Sequence, residues 1–299
     1  MKEKVIAIVG PTAVGKTKLS IDIAKALDTE IISGDSAQVY RGLDIGTAKI
    51  TEEEMAGIPH HLIDIIEPNE QFTVFEFQQL VRSKIKEINN KGKVPLLVGG
   101  TGLYVRAVLY DYQFTPGGRK ESFEEQFAHL SNEELHALLM EKDKERAQGI
   151  HPNNRRRILR LLDILEKGGK VQDEPPKLVY DALIIGLDMD RQRLYERINE
   201  RVDIMIEMGL VDEAKSIYDQ GIQPNIIGYK EFFPYFEGKY SLTDAIEQLK
   251  KDTRRLAKRQ LTFFRNQFPE LIWVEVDEKD FGKVIDEVRH IVLKWQQDH

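Results

Sequence analysis

The segment GPTAVGKT, from Gly10 to Thr17, constrains the fold of this chain more than any other segment. It fits the pattern G-x-x-x-x-G-K-[S/T], in which a glycine-rich loop and the start of a helix surround phosphate oxygens. The β-branched run at 5–10 predicts a buried strand before the loop, and the apolar spacing of 17–27 predicts a helix after it. This order of strand, loop and helix predicts a site for a phosphorylated ligand.

We expect the whole loop to hold the phosphates of a diphosphate or nucleotide. Its members are Gly10, Pro11, Thr12, Ala13, Val14, Gly15, Lys16 and Thr17. Lys16 adds a positive charge, and the Thr17 hydroxyl is the predicted protein ligand of Mg²⁺, which commonly bridges such a loop and substrate phosphates. The sequence therefore predicts an electrostatic cradle for a phosphorylated substrate and its magnesium ion.

Short apolar segments alternate with helical patterns along much of the chain. We predict further strands at 30–34, 61–66, 94–100, 180–190 and 271–276, and an amphipathic helix at 72–92. Such alternation predicts an α/β fold of the P-loop NTPase type, with a parallel sheet flanked by helices.

One region interrupts this alternation. The segment 115–180 is polar, charged and helical in pattern, without a good strand. We therefore predict a core formed by 1–114 and 181–299, the latter ending in C-terminal helices, and a helical insertion domain at 115–180.

Composition excludes several classes of protein. The 299 residues contain no cysteine, which excludes disulfides, thiolate metal sites and a thiol nucleophile. No apolar run approaches the length that spans a bilayer, and the first residues lead into the phosphate loop instead of a cleavage site. We expect a soluble cytoplasmic protein without membrane contact, and a monomer, since no pattern calls for a dimer.

Two further polar segments follow predicted strands. In SGDSAQVY (33–40), Asp35 could accept a proton from an attacking nucleophile, bind magnesium, or only cap a turn, while Ser36 and Gln38 could bind a base edge. In VGGTGLY (98–104), Thr101 could donate to the oxygen that bridges a donor group and its diphosphate, or simply form a tight turn. Strand ends of an open parallel sheet line the ligand crevice, so both segments are predicted to lie beside the phosphate loop.

Two observations argue against other chemistries. No apolar strand ends in a clear D-E pair of the Walker-B kind, which disfavours an ATPase. His60 and His61 are adjacent, so on a strand they point to opposite faces, and we expect hydrogen-bonding roles instead of a metal site.

Positive charge is concentrated in two places although the formal net charge is −7. The first lies at 155–160, and the second recurs every four residues between 250 and 265, which gives one helix a wide basic face. A solvated helix face is one interpretation, and an RNA-binding surface is the other.

The ordered motifs resemble those of the bacterial tRNA dimethylallyltransferase family over nearly the whole chain. Beside the three segments above, the resemblance rests on DIGTAK (44–49), PHHLID (59–64), GIHPNNRRRILRLLDI (149–164), IIGYKE (226–231) and TRRLAKRQLTFFRN (253–266). Val14 and Ile50 depart from residues common in the family, but neither carries a predicted functional group.

The resemblance implies transfer of a dimethylallyl group from dimethylallyl diphosphate to N6 of the adenine on the 3′ side of the tRNA anticodon. It implies that Asp35 is the general base and that Thr101 contacts the leaving oxygen. Arg191 is the predicted further ligand of the diphosphate, because a guanidinium can grip phosphate oxygens with two donors. The residues expected to bind tRNA are Asp35, Ser36, Ala37, Gln38, Thr101, Arg155, Arg156, Arg157, Arg254, Arg255 and Lys258.

Three alternatives remain open from the sequence. They are a small-molecule P-loop kinase, a prenyltransferase that acts on free adenine nucleotides, and a nucleotide-dependent RNA-binding switch without transfer chemistry. A free-nucleotide enzyme would need neither the helical insertion nor the basic helix, and a switch would not need Asp35 or Thr101.

Overall fold

A computed structural model describes residues 2–112, 121–167 and 176–298. The chain divides into two compact units, the first formed by Met1–Asp111 with Leu178–His299 and the second by Tyr112–Lys177. The second unit begins and ends within a few residues of the predicted insertion at 115–180.

The first unit contains a parallel six-stranded sheet. Its strands are β1 (Lys4–Val9), β2 (Ile31–Ser33), β3 (His60–His61), β4 (Leu96–Gly99), β5 (Asp181–Asp188) and β6 (Ile272–Glu275). Their order across the sheet is β3-β2-β4-β1-β5-β6, and each neighbouring pair is parallel. The carboxyl ends of β1, β2 and β4 therefore meet at one edge, which confirms the predicted α/β class.

Helices connect and cover these strands. In chain order they are α1 (Lys16–Leu27), α2 (Glu52–Met55), α3 (Val74–Asn90), α4 (Gly102–Leu109), α5 (Glu121–Gln126), α6 (Asn132–Lys142), α7 (Lys144–Gln148), α8 (Arg155–Glu166), α9 (Arg191–Glu207), α10 (Leu210–Asp219), α11 (Phe233–Phe236), α12 (Leu242–Gln267) and α13 (Phe281–Asp298). Among the described residues, none of these helices combines the length and apolarity needed to cross a lipid bilayer.

Both faces of the sheet are buried, as the continuous apolar run of β1 predicts. Ile6 and Ile8 belong to one hydrophobic cluster, whereas Val5, Ala7 and Val9 belong to another. Because side chains alternate along a strand, helices must cover both faces of the sheet. The packing of helices on both faces holds the loops at the carboxyl edge in place.

The predicted strand at 61–66 is wrong beyond its first residue, because β3 contains only His60 and His61. Leu62 and Asp64 have φ values of 62° and 54°, in the left-handed region that no strand uses. The Asp64 amide donates to the Gln38 carbonyl at 3.2 Å, and that of Ile65 to Val39 at 2.8 Å. This segment therefore turns around residues 38–40 instead of extending the sheet.

The second unit is helical where the structure describes it and consists of α5 to α8. Its core includes Leu135 and Leu139 of α6 and Ile158 and Leu162 of α8. Their helical spacing places them on one face of each helix, so this unit has a hydrophobic core of its own.

Candidate active site at the carboxyl edge of the sheet

The phosphate loop follows β1 and depends on backbone conformations that favour glycine. Gly10 has φ 148° and Gly15 has φ 107°, and Ala13 also lies in the left-handed region at 65°. A Cβ atom on Gly10 would lie 2.7 Å from the Leu187 carbonyl oxygen, which leaves no room for a side chain. Gly15 immediately precedes α1, so the loop leads directly into the free backbone amides of a helix N-terminus.

Lys16 folds back over this loop. Its ammonium donates to the carbonyl oxygens of Gly10, at 3.0 Å, and Pro11, at 2.7 Å. Burial lowers the pKa of Lys16 to about 8, an effect that Asp35 opposes and Arg201 reinforces. A buried ammonium held by only neutral oxygens is under-compensated, so an anionic ligand would be stabilised here.

A cavity of about 500 Å³ opens beside the loop. Five of the predicted phosphate-binding residues line it, namely Thr12, Ala13, Gly15, Lys16 and Thr17. Gly10, Pro11 and Val14 are buried behind it, where Val14 joins the hydrophobic core and the other two supply carbonyls to Lys16. Some residues of the loop therefore line the cavity, and the others hold the loop backbone in its conformation.

Asp35 lines the same cavity from the end of β2. One of its carboxylate oxygens accepts the Ala37 amide at 2.8 Å, which fixes the side chain in a turn. Its electrostatic effects on Lys16 and Arg201 are both favourable to their positive charge. The predicted base and the predicted cradle therefore lie at one cavity, while Ser36 and Ala37 contribute to the turn.

Thr101 occupies the start of α4 and is bound to the Asp35 loop. Its Oγ1 accepts the Ser36 amide at 3.1 Å and lies 3.2 Å from the Ser36 hydroxyl. The neighbouring Gly99 and Gly100 line the cavity, whereas Thr101 does not. A contact with a leaving oxygen would require its hydroxyl hydrogen to rotate away from Ser36.

Gln38 also lines the cavity, and hydrogen bonds at both ends set its amide orientation. Its nitrogen donates to the carbonyls of Thr47, at 3.5 Å, and Ala48, at 3.2 Å, while its oxygen accepts from the Ser33 hydroxyl at 3.4 Å. A side-chain amide held in this way presents a defined donor and acceptor pattern to a ligand.

The structure places Arg191 outside this cavity and two other arginines of α9 inside it. Arg191 is exposed at the first turn of α9 and lies over the Tyr195 ring at 5.2 Å. Arg197 and Arg201 line the cavity, and the Arg197 Nε donates to the Ala13 carbonyl at 2.9 Å. The physical reason is helical periodicity, because one face of α9 points inward and Arg191 belongs to another.

Arg201 is the second arginine of α9 that lines the cavity. Within the described part of the chain it makes no hydrogen bond or ion pair, although burial lowers the pKa of its guanidinium. Asp35 and Glu54 provide the favourable electrostatic interactions. Lys16, Arg197 and Arg201 thus line the space in front of the phosphate loop together with Lys18, and Arg197 also pairs with Glu278.

The side chains of the predicted RNA-binding residues divide into partly buried and exposed ones. In the second unit, Arg155 donates to the carbonyls of Leu130, at 2.7 Å, and Phe127, at 2.5 Å, so its guanidinium holds a turn within that unit. Arg156 and Arg157 are exposed on the same helix. Arg155 is therefore less accessible to a partner than its two neighbours are.

A similar division occurs on α12. Arg254 donates to the Asn199 side chain at 2.5 Å and faces α9. Arg255 and Lys258 are exposed and line a shallow depression of about 480 Å³ together with Phe263. Of the three residues predicted to bind RNA on this helix, these two are exposed, and Arg255 also pairs with Asp252 at 3.3 Å.

Residues for a magnesium ion are few. Among the described residues, no group of three or more histidines and acidic side chains lies close enough together to hold a metal. The Thr17 hydroxyl and Asp35 both line the cavity, however. Mg²⁺ commonly takes one or two protein oxygens and completes its shell with substrate phosphates and water, so this sparse set fits that ion.

Comparison with known proteins gives a consistent relationship. The model of the family described as IPP transferase matches residues 38–267. The chain belongs to the IPP transferase family. A tRNA dimethylallyltransferase of Bacillus velezensis is 54% identical over 288 residues, which cover 92% of this chain and 91% of that protein.

Solved structures of the family agree. A tRNA isopentenylpyrophosphate transferase of Bacillus halodurans is 47% identical, with TM-score 0.76, and the match covers 99% of this chain and 98% of that chain. A eukaryotic dimethylallyltransferase acting on tRNA is 29% identical, with TM-score 0.84, covering 97% of this chain and 78% of that chain.

In this member of the IPP transferase family, sequence reasoning missed Arg197 and Arg201. A usable signal was present, because Arg193, Arg197 and Arg201 recur every four residues in α9. Arg193 and Arg197 both form ion pairs with Glu278, but only Arg197 also lines the cavity. The spacing predicts a basic stripe, but only tertiary structure shows which end of it reaches the phosphate loop.

Proposed function

We propose that this protein transfers a dimethylallyl group from dimethylallyl diphosphate to N6 of the adenine adjoining the 3′ side of the anticodon in tRNA. The single observation that carries the proposal is that Lys16, Arg197 and Arg201 line the same cavity as the Asp35 carboxylate, beside the phosphate loop. Two of the relatives described above are dimethylallyltransferases that act on tRNA, which supports an allylic diphosphate as donor and RNA as acceptor.

The proposed reaction breaks the bond between the allylic carbon and the diphosphate oxygen and forms a bond from that carbon to N6. Negative charge develops on the departing diphosphate, where Lys16, Arg197 and Arg201 can stabilise it. Asp35 accepts the proton that N6 loses, because it faces the same cavity. Thr101, if its hydroxyl rotates from Ser36, donates to the leaving oxygen.

A magnesium ion bound by Thr17 and the diphosphate would add further neutralisation of the leaving charge. The adenine must leave its stack to enter the cavity, which costs least for a base in a loop. Gln38 then offers its amide to the base edge. Arg156 and Arg157 of the second unit and Arg255 and Lys258 of α12 are exposed cations suited to the RNA backbone.

The proposal places the reaction in the cytoplasm, with tRNA as the macromolecular substrate and a monomer as the working form. We also propose the insertion at 115–180 as a tRNA-binding arm. Its charged residues are the basis of that assignment.

The test is incubation of the protein with labelled dimethylallyl diphosphate and unmodified tRNA. Label is expected in the RNA, and Asp35→Ala is expected to remove it. Label in free adenosine monophosphate would instead favour a nucleotide prenyltransferase. Phosphorylation that depends on adenosine triphosphate, without prenylation, would favour a kinase.

A further inference from the structure

Two sequence motifs, DIGTAK (44–49) and IIGYKE (226–231), have no part in the mechanism above. The structure joins them through Glu213 of α10. One carboxylate oxygen of Glu213 accepts the amides of Ile45 and Gly46, each at 3.0 Å, and the other accepts those of Asp44 and Ile45, at 3.2 and 2.9 Å. The DIGTAK backbone thus donates three successive amides to one distant carboxylate.

Tyr229 of the second motif completes this arrangement. Its hydroxyl donates to Glu213 at 2.5 Å, and its ring is fully buried. Burial, reinforced by the Glu213 carboxylate, raises the pKa of Tyr229 above its usual range, so the hydroxyl keeps its proton and remains a donor. Glu213 therefore has four donors, and none of them carries a formal charge.

The contact leaves no space for side chains at two glycines. A Cβ atom on Gly46 would lie 2.6 Å from the Tyr229 ring, and one on Gly228 would lie 2.5 Å from the Gly46 carbonyl oxygen. Gly228 also has φ 110°, which favours glycine independently. Close packing and hydrogen bonding thus hold the two motifs in a single arrangement.

The DIGTAK loop, which Glu213 holds, continues directly into the wall of the cavity. Thr47 and Ala48 follow Gly46, line the cavity, and accept the amide of Gln38. The Thr47 hydroxyl donates to the Leu43 carbonyl at 2.6 Å, which closes the loop on itself. A displacement of residues 44–46 would therefore move the two carbonyls that orient Gln38.

We propose that Glu213 is a positioning residue for the acceptor base, acting through the DIGTAK loop on Gln38. This inference rests on the proposed function, because Gln38 matters only if a base enters the cavity beside it. Glu213 itself touches no substrate. It fixes where the Thr47 and Ala48 carbonyls lie, and hence which end of the Gln38 amide faces the base.

The test compares Glu213→Gln with Asp212→Asn. Both residues lie in the first turn of α10, so each variant removes one negative charge from the same helix start. The side-chain NH2 that Glu213→Gln introduces would point a donor at backbone amides that are themselves donors. We expect kcat/KM for tRNA to fall about fivefold, because the Thr47 and Ala48 carbonyls that orient Gln38 would shift. The KM for dimethylallyl diphosphate and the Kd for inorganic pyrophosphate should stay within about twofold of the wild-type values.

A double-mutant cycle then shows whether Glu213 acts through Gln38. If Glu213 acts through Gln38, Glu213→Gln should add little to the loss caused by Gln38→Ala. Fully additive losses would overturn the inference, as would a Glu213→Gln enzyme with unchanged tRNA kinetics. A parallel weakening of pyrophosphate binding would also overturn it, since that result indicates a general structural role.

Two results separate this inference from the proposed function. A wild-type chain that transfers no label to tRNA overturns both, whereas transfer by wild type and Asp212→Asn with an unaffected Glu213→Gln overturns the inference alone. If Glu213→Gln does not fold, Tyr229→Phe removes only one hydroxyl. It should lower kcat/KM for tRNA about twofold, again without weakening pyrophosphate binding.

Discussion

The two sides of the cavity are built in different ways. On the donor side, a contiguous loop and the cations Lys16, Lys18, Arg197 and Arg201 line the space for a diphosphate, and among the described residues the Lys16 ammonium donates to two neutral carbonyl oxygens. On the acceptor side, Gln38 is oriented by neutral hydrogen bonds to Thr47 and Ala48, and the loop that contains them is held by the distant Glu213. Charge therefore dominates donor binding, and geometry dominates acceptor alignment.

The largest expected effect is the loss of Lys16. Lys16→Met removes a buried cation from the site of the departing charge, and kcat/KM for dimethylallyl diphosphate should fall about a thousandfold, the upper range for one preorganised donor. Steady-state transfer kinetics with saturating tRNA measure it. An undiminished rate would break the comparison, because the donor side would not depend on charge.

Arg201→Gln should have the next largest effect. Its guanidinium lines the cavity and makes no hydrogen bond or ion pair with the residues that the structure describes, so we expect about a hundredfold loss in kcat/KM for the donor. Arg191→Gln is the matched control on the same helix and should stay within about twofold of wild type, because Arg191 is exposed. Equal losses in both variants would show that overall helix charge, not position, matters.

The pH dependence of pyrophosphate binding sharpens the description of the donor side. The pKa of Lys16 in the ligand-free protein is lowered to about 8, so the cation is present below that pH and is lost as pH rises through it. Affinity should fall about tenfold between roughly pH 7 and 9, since only the charged form attracts the anion. Calorimetry would measure the Kd, and Lys16→Met should bind weakly with a flatter profile.

Gln38→Ala should have a smaller effect than the two donor-side variants, and the effect should fall on the other substrate. Loss of an oriented amide leaves the base edge without its partner, and kcat/KM for tRNA should drop about tenfold. Pyrophosphate binding should change by less than about twofold, because Gln38 carries no charge. A larger loss in kcat/KM for dimethylallyl diphosphate than for tRNA would show that Gln38 acts on the donor side of the cavity.

The parts of the fold and site that could be predicted are local in sequence. GPTAVGKT carries its own strand, loop and helix, and the structure places five of its residues on the cavity. The strand that precedes Asp35 also has a clear apolar pattern, so Asp35 could be placed at the correct edge of the sheet. In these cases residues close together in the sequence form both the recognisable pattern and the local structure that the pattern predicts.

The remainder depends on contacts between residues far apart in the chain. HLIDII has the composition of a strand, yet hydrogen bonds to residues 38–40 turn it after His61. Arg191 and Arg201 lie in one helical pattern, and only the packing of α9 shows which of them faces the phosphate loop. Similarly, Arg155 and Arg254 resemble surface cations but are hydrogen-bonded to protein groups.

The most direct test of the account is a paired measurement on Asp35→Asn, with wild type beside it. The Kd for inorganic pyrophosphate and the single-turnover rate of transfer from dimethylallyl diphosphate to tRNA are determined on the same preparation. The account predicts a Kd within about twofold of wild type and a transfer rate at least about a hundredfold lower, the contribution of a general base. A transfer rate equal to wild type would contradict the assignment of Asp35 as the group that accepts the N6 proton.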